Sequence, residues 1–389
     1  MRQTSRIRQY FDYGLANLRT RAATFNAAAM SQVWYVIEPG RWSVFHDGEQ
    51  ITQAVRRLGI EARTTLTPAG VSKQVVHYGS RNLFLLGDRL KCRDDNRVVF
   101  TWFHGSEEDP SPENQRMIDA VGDASERADV IVTTCRTSAT RLIRWGVQEQ
   151  KLQVVPLGVD AALFRPELAR EGLTMRQELG IPPDALCVGS FQKDGVGWGE
   201  GHAPKYVKAP EVLVETLAAL ARRRRVHGLL TGPARGFVKA GLDRAGVPYT
   251  HVEFDDSRRV APYYHALDVY LITSRDEGGP KGFLEAAASG VPVVSTKVGM
   301  ASDLIQQGTN GLLADVDDVT ALVDSLDWLA NDRQLRERIA VNGRLVAQRH
   351  DWRLIGEQYA DRVYRPLLGR ESAVRGPASM SARRAPNAG

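Results

Sequence analysis

Two carboxylates with seven residues between them, Glu277 and Glu285, bracket a glycine-rich turn in Ser274-Arg-Asp-Glu-Gly-Gly-Pro-Lys-Gly-Phe-Leu-Glu285. An apolar strand-like run, Val269–Ser274, leads into the turn, and good helix formers follow it until Gly290 and Pro292. Gly278 and Gly279 carry no side chain, so a ligand can approach the backbone closely. Pro280 suits the first helical position, where a missing N–H costs nothing. The amides of Lys281, Gly282 and Phe283 then form the positive end of a helix, suited to an anion. Glu277 and Glu285 flank that end, and each carboxylate can accept paired hydroxyls. Hydroxyls, then phosphate, then hydroxyls describes a nucleotide sugar.

The run Ser-x-x-Glu-Gly-Gly-Pro-x7-Ala-x-Gly-Val-Pro-Val-Val-Ser-Thr resembles the Glu-x7-Glu signature of the retaining GT-B glycosyltransferases of family 4. The resemblance implies that Glu277 contacts the donor sugar and Glu285 the ribose. It also implies a phosphate clamp after the strand Leu186–Phe191. Lys208 matches the clamp lysine, with Ala209 where the family has glycine. The clamp arginine is missing, because Gly189 is followed by Ser190 and Phe191. Lys193 is the candidate second cation, a point charge without the arginine fork. In Thr101-Trp-Phe-His104-Gly105 the histidine resembles the family's N-domain histidine, which implies contact with the donor sugar. Val155-Pro-Leu-Gly158-Val-Asp160-Ala-Ala-Leu-Phe164-Arg-Pro166 resembles the family's linker between domains. What the family implies as a whole is a UDP- or GDP-sugar donor, retention of anomeric configuration, and neither cofactor nor metal.

These residues need a scaffold that brings strand ends together. Short apolar runs recur at Val33–Glu38, Ala62–Leu66, Asn82–Leu86, Arg97–Phe103, Val130–Thr134 and Leu152–Pro156. A second series occupies Leu186–Phe191, Val226–Thr231, Thr250–Phe254, Val269–Ser274, Val291–Thr296 and Gly311–Ala314. Helical segments such as Glu49–Leu58 and Thr137–Trp145 separate the strands, which predicts buried parallel sheets with helices on both faces. The expected fold is α/β of the GT-B type, two Rossmann-like domains facing a central cleft. The expected boundaries are a basic extension at 1–30, an acceptor-side domain at 31–165 completed by a helix at 351–368, a nucleotide-sugar domain at 166–350, and a disordered tail at 371–389. The loop Glu38–Glu49 is the candidate acceptor wall, with Arg41 and Trp42 as offered contacts. The insert Asp194–Lys205 is glycine-dense and reads as a flap able to order around ligand.

Composition is that of a globular chain: 389 residues, 43% hydrophobic and 25% charged, with net charge +5. No stretch is apolar enough to span a bilayer. Cys92, Cys135 and Cys187 lack metal or redox spacing, and Asp315-Val-Asp317 reads as loop rather than a metal site. The Arg222–Arg225 cluster sits at a helix end where cations are favoured, so nucleic-acid binding is not expected. Residues 1–30 hold five arginines against one acid with apolar residues at helical spacing. Peripheral contact with an anionic membrane, a cleaved targeting peptide and an arm packed on its own protein all fit this pattern. The expected partners are a nucleotide sugar and a glycan, glycolipid or small-molecule acceptor, at a cytoplasmic location that can include the membrane's cytoplasmic face. Two other function classes remain open: a nucleotide-sugar-binding subunit with little turnover, favoured by Ser190, and an epimerase or phosphorylase on the same fold.

Overall fold

The computed structural model describes residues 32–369, apart from 39–42, 88–90, 167–168, 198 and 255. The basic stretch 1–30, the tail 371–389, and Arg41, Trp42 and Trp198 lie outside the described residues.

Among the described residues, twelve parallel strands form two six-stranded sheets. The first contains β1 (Val33–Val36), β2 (Ala62–Thr65), β3 (Val75–Tyr78), β4 (Arg97–Trp102), β5 (Val130–Thr133) and β6 (Leu152–Val154), in the order β2-β1-β3-β4-β5-β6. The second contains β7 (Leu186–Phe191), β8 (Val226–Thr231), β9 (Tyr249–Val252), β10 (Val269–Ile272), β11 (Val293–Thr296) and β12 (Leu312–Ala314), in the order β12-β11-β10-β7-β8-β9. Central strands such as Val33-Trp-Tyr-Val and Val269-Tyr-Leu-Ile are buried throughout, as a sheet covered on both faces requires.

One expected strand is wrong. Asn82–Leu86 is not extended: Leu83–Gly87 forms a π-helical turn, and the third strand is Val75–Tyr78 instead. Val75-Val-His-Tyr is held between β1 and β4 and fully buried. Ser80 then receives the amide of Leu83 on its hydroxyl, turning the chain so that Leu83, Phe84 and Leu85 pack over the sheet.

After the second sheet, the helix Trp352–Tyr359 returns to the first and packs on the helix Ser43–Arg56. Two contacts anchor it. His77 in β3 shares hydrogen bonds with the Tyr364 hydroxyl (2.7 Å) and with Thr101 Oγ1 (2.9 Å). Trp352 covers Gly158, where an added Cβ would overlap its indole ring. Gly158→Ala is therefore expected to lose about 1–3 kcal/mol of stability through overpacking, read from chemical denaturation.

Order reversal matters for function. In the second sheet β7 and β10 are neighbours whose following helices depart to opposite sides, which opens a crevice at their carboxyl ends. Lys193 follows β7 and Glu277 follows β10, so chain topology brings together residues 84 positions apart.

Candidate active site

The loop after β10 is tied down from below. Thr296 donates to the Ser274 carbonyl (2.6 Å), and the Gly278 carbonyl accepts from the Met300 amide (2.8 Å). Arg275 turns away to Asp317 and Glu211, while Lys297 meets Asp315. The Asp315-Val-Asp317 carboxylates are thereby engaged with cations. Glu277 turns inward, 8% exposed, and accepts from Ser274 Oγ (2.9 Å). Its Oε1 also forms an ion pair with Lys208 Nζ. Gly278 lies directly against the Phe103 carbonyl of the facing domain, and a side chain there would overlap that oxygen. Gly279 packs on Leu157 of the linker.

Two details of the helix start differ from expectation. The helix spans Lys281–Ala288, with Pro280 as its cap (φ −66°, ψ 94°) rather than its first residue. The Phe283 amide donates to the Pro280 carbonyl (2.9 Å), so the set able to meet an anion narrows to the Lys281 and Gly282 amides. The first turn closes on Pro280 because the Phe283 ring is fully buried in the core and pulls its backbone inward. Gly282 backs onto Tyr270.

Lys281 and Glu285 stand one helical turn apart and line a small open pocket with His46, Gln50, Arg258 and Trp352. Glu285 accepts from the Tyr264 hydroxyl (2.8 Å), and burial raises its carboxyl above the usual range against the pull of Lys281. Lys281 Nζ donates to Asp47 (2.7 Å) in the facing domain. Burial lowers the Lys281 amine, but Asp47 and Glu285 outweigh it and hold the amine above its ordinary value. The sequence reading used only the backbone of Lys281. Its side chain is an interdomain link.

Cations gather on the other side of Glu277. Lys208 and Lys193 stand there as expected from their strand and helix positions, both half-buried. The insert after β7 is not a loose flap. Backbone hydrogen bonds link Val196 to Ala203 (2.9 Å), Lys205 to Asp194 (2.8 Å), Gly236 to Glu200 (2.6 Å) and Phe237 to Gly201 (3.0 Å). Beneath it Arg235, 1% exposed, donates to the carbonyls of Ser190, Gln192 and Thr231 and meets Asp194 at 3.0 Å. Folded in this way, the insert delivers Lys205 to the cluster.

Burial, reinforced by Lys208, lowers the Lys205 amine to about 8. A charged Lys205 is thus available to an anion below that pH and lost above it. An anion bound beside it raises the amine again, so binding above pH 8 must take up a proton. Nucleoside diphosphate affinity is expected to hold between pH 6 and about 7.5 and to fall from about 8 to 9.5, with proton uptake in calorimetry. Lys205→Met should flatten that fall.

His104 follows β4 and enters the cleft from the first domain, its side chain 31% exposed. Burial first, then Arg81, Lys205 and Lys208, hold its imidazole well below the ordinary range, so it is neutral at physiological pH. Its neighbour across the cleft is Asp276, which Arg141 meets at 2.6 Å. Asp276, Asp47, Tyr264, Lys205 and Arg141 meet the candidate site residues and were not singled out by sequence reasoning. Asp276 carried one signal, its place next to Glu277. Asp47 lies within the loop Glu38–Glu49 offered as an acceptor wall, while Arg141 and Tyr264 carried no signal, since each reaches the site only through tertiary contact.

Two parallel six-stranded sheets meeting at such a cleft constitute the GT-B fold, and solved structures agree. Anabaena Alr3699/HepE in complex with UDP and glucose superposes with TM-score 0.67 at 19% identity, covering 85% of this chain and 99% of that one. Sucrose-phosphate synthase from Thermosynechococcus elongatus gives 0.68 at 18% identity, covering 86% and 99%. Two family models then account for most of both sheets: Glycosyltransferase Family 4 at residues 35–163 and Glycosyl transferases group 1 at residues 184–332. Each sheet thus matches one glycosyltransferase domain model, the first sheet the Family 4 model and the second the group 1 model. Among curated relatives, D-inositol 3-phosphate glycosyltransferase of Xylanimonas cellulosilytica is 28% identical over 62% of this chain and 58% of its own length. The lipopolysaccharide core biosynthesis mannosyltransferase LpsB of Rhizobium meliloti is 28% identical over 56% and 60%. The match thus spans less than two thirds of either relative. Among the described residues no helix is long and apolar enough to cross a membrane.

Proposed function

We propose that the chain transfers a sugar from a nucleotide-diphosphate sugar to an acceptor hydroxyl with retention of anomeric configuration. The observation that carries this reading is the convergence of Lys208, Lys205 and Lys193 with Glu277 and His104 at the cleft. Three amines at Glu277, together with the amides of Lys281 and Gly282 at the helix start, suit a diphosphate leaving group, whose growing charge they stabilise. Glu277 and His104 then receive the hydroxyls of the donor sugar, and Glu285 those of the ribose in the pocket it lines with Lys281. Their contribution is orientation.

The amines supply the counter-charge, so the reaction needs no metal, and transfer is expected to proceed undiminished in EDTA. The acceptor enters from the first sheet, where Ser80 donates to Glu38 (2.7 Å) at the ends of β3 and β1. A proton leaving the acceptor hydroxyl passes to the departing phosphate oxygen on the same face of the sugar. The relatives named above, an inositol phosphate glycosyltransferase and a mannosyltransferase, point toward glycolipid, envelope polysaccharide or small-molecule acceptors. Contact of residues 1–30 with the cytoplasmic face of a membrane would bring a lipid-linked acceptor within reach.

The test is a panel of UDP- and GDP-sugars with the purified chain, scored for nucleoside diphosphate release and for the anomer formed. Turnover with one donor, abolished in Glu277→Ala while nucleoside diphosphate still binds, supports the proposal. Binding without turnover across donors and acceptors makes the chain a nucleotide-sugar-binding subunit and overturns it.

A further inference from the structure

His104 and Asp276 confront each other across the cleft with their hydrogen bonding unfinished. Nδ1 of His104 lies 3.8 Å from Oδ2 of Asp276, and both atoms are buried without a hydrogen-bond partner. The other carboxylate oxygen, Oδ1, accepts from Arg141 Nη1 (2.6 Å), and the same nitrogen also donates to the Gly105 carbonyl (3.1 Å). Arg141 thus needs only one oxygen of Asp276. The second is left aimed at the imidazole.

Orphaned buried polar atoms are costly, and complementary orphans facing each other are one small movement from satisfaction. A gap of 3.8 Å does not admit a bridging water, because two ordinary hydrogen bonds through one oxygen span about 4.5 Å. A shortening of under about 1 Å gives a normal N–H···O bond. The two residues belong to opposite domains: His104 follows β4, and Asp276 follows β10. Closure around a ligand is the movement that changes their separation.

The charge pattern selects the proton's place. Arg81 from the segment after β3, and Lys205 and Lys208 from the segment after β7, face His104, and Arg141 faces Asp276. Three nearby cations disfavour an imidazolium, and burial raises the Asp276 carboxyl above its ordinary value against the opposing pull of Arg141. A neutral imidazole beside a carboxylate carries its proton on Nδ1, which leaves Nε2 as an acceptor.

We propose that Asp276 is a positioning residue for His104: on closure it takes the Nδ1 proton in a hydrogen bond, fixing the tautomer and ring orientation that turn Nε2 toward a hydroxyl of the donor sugar. The inference rests on the glycosyltransferase reading, but its primary test does not require turnover. Asp276→Asn keeps an oxygen for Arg141 and presents an amide N–H to Nδ1, which favours the opposite tautomer. The same exchange in a catalytic His–Asp pair acts through the wrong tautomer.

The first measurement is side-chain nitrogen NMR of the full chain labelled at histidine, with UDP or GDP present and His104 assigned by its loss in His104→Gln. The Nδ1–H form is expected in the native chain and the Nε2–H form in Asp276→Asn. The second is kinetic. Asp276→Asn should lower kcat by about 10- to 100-fold, with the donor KM changed by less than about threefold. In a His104→Ala background the same substitution should have almost no further effect. An unchanged tautomer overturns the proposal, as do Asp276 and His104 effects that multiply, since Asp276 would then act through Arg141 alone. If no nucleotide sugar is turned over, the functional reading fails while the tautomer still decides the pairing.

Discussion

Lys208→Met should lower kcat/KM for the nucleotide sugar by about 10²–10³-fold, the scale seen when one preorganised group that stabilises developing charge is removed. Lys208 is half-buried at the cleft and forms an ion pair with Glu277, so one substitution reaches both sides of the proposed reaction. It removes a cation from the leaving diphosphate and leaves a buried carboxylate without its ammonium. The second effect would repel an anionic donor and weaken binding as well as turnover. Lys208→Arg keeps the charge but cannot keep the compact ammonium geometry, so partial activity is expected. Steady-state rates with the productive donor, beside a calorimetric Kd for the nucleoside diphosphate, separate the two effects. Unaltered turnover in Lys208→Met would remove the site from the second sheet's crevice altogether.

The largest stability effect is expected at Arg235. Its guanidinium and the Asp194 carboxylate are both essentially inaccessible to solvent and stand 3.0 Å apart. Neither Asp194 oxygen has a hydrogen-bond partner, so Arg235 supplies its compensation as a charge. Burial pushes the Asp194 carboxyl up and the Arg235 guanidinium down, which shows how far desolvation strains both members. Arg235→Met therefore leaves a bare buried carboxylate, at a cost of about 3–5 kcal/mol. Three backbone carbonyls, of Ser190, Gln192 and Thr231, lose their donor at the same time. The double variant Arg235→Met with Asp194→Leu should recover much of the loss, because an apolar pair of similar volume has no charge to desolvate. Guanidinium unfolding of the two variants and the parent gives the comparison. Nucleoside diphosphate binding should weaken in the single variant as the insert shifts and carries Lys205 away.

Much of this molecule can be read along the chain. Eleven of the twelve described strands fall on runs singled out in the sequence, and central ones such as Val269–Ile272 are continuously apolar because both faces of the sheet are covered. The exception is instructive. His77 interrupts the apolar run Gln74-Val-Val-His-Tyr, whereas Asn82-Leu-Phe-Leu-Leu carries four apolar residues in succession. His77 is nevertheless buried, because Tyr364 and Thr101 satisfy both ring nitrogens. Burial keeps it neutral by lowering its pKa to about 3. Compensation from Tyr364, 287 residues away, leaves no local trace.

The turn around Glu277 was equally legible, since glycine, proline and acid each have a local reason to be there. Its setting was not. The insert with its glycines suggests mobility, yet Arg235 and the start of the helix Gly236–Ala245 hold it in place. Resemblance to the family's phosphate clamp singled out Lys208 and Lys193, but only the fold brings Lys205 beside them.

By itself the sequence determined the alternation of buried strands and helices, the pair of sheets, and the acid–glycine–helix segment that defines one wall of the cleft. All of these depend on residues close together in the chain, whose propensities and periodicity act locally. Tertiary structure alone decided which groups face that wall: Asp47 on Lys281, Tyr264 on Glu285, Arg141 and His104 on Asp276. Those pairings depend on how strand order and the interdomain linker set two sheets against each other, and contacts between distant elements follow no period in sequence.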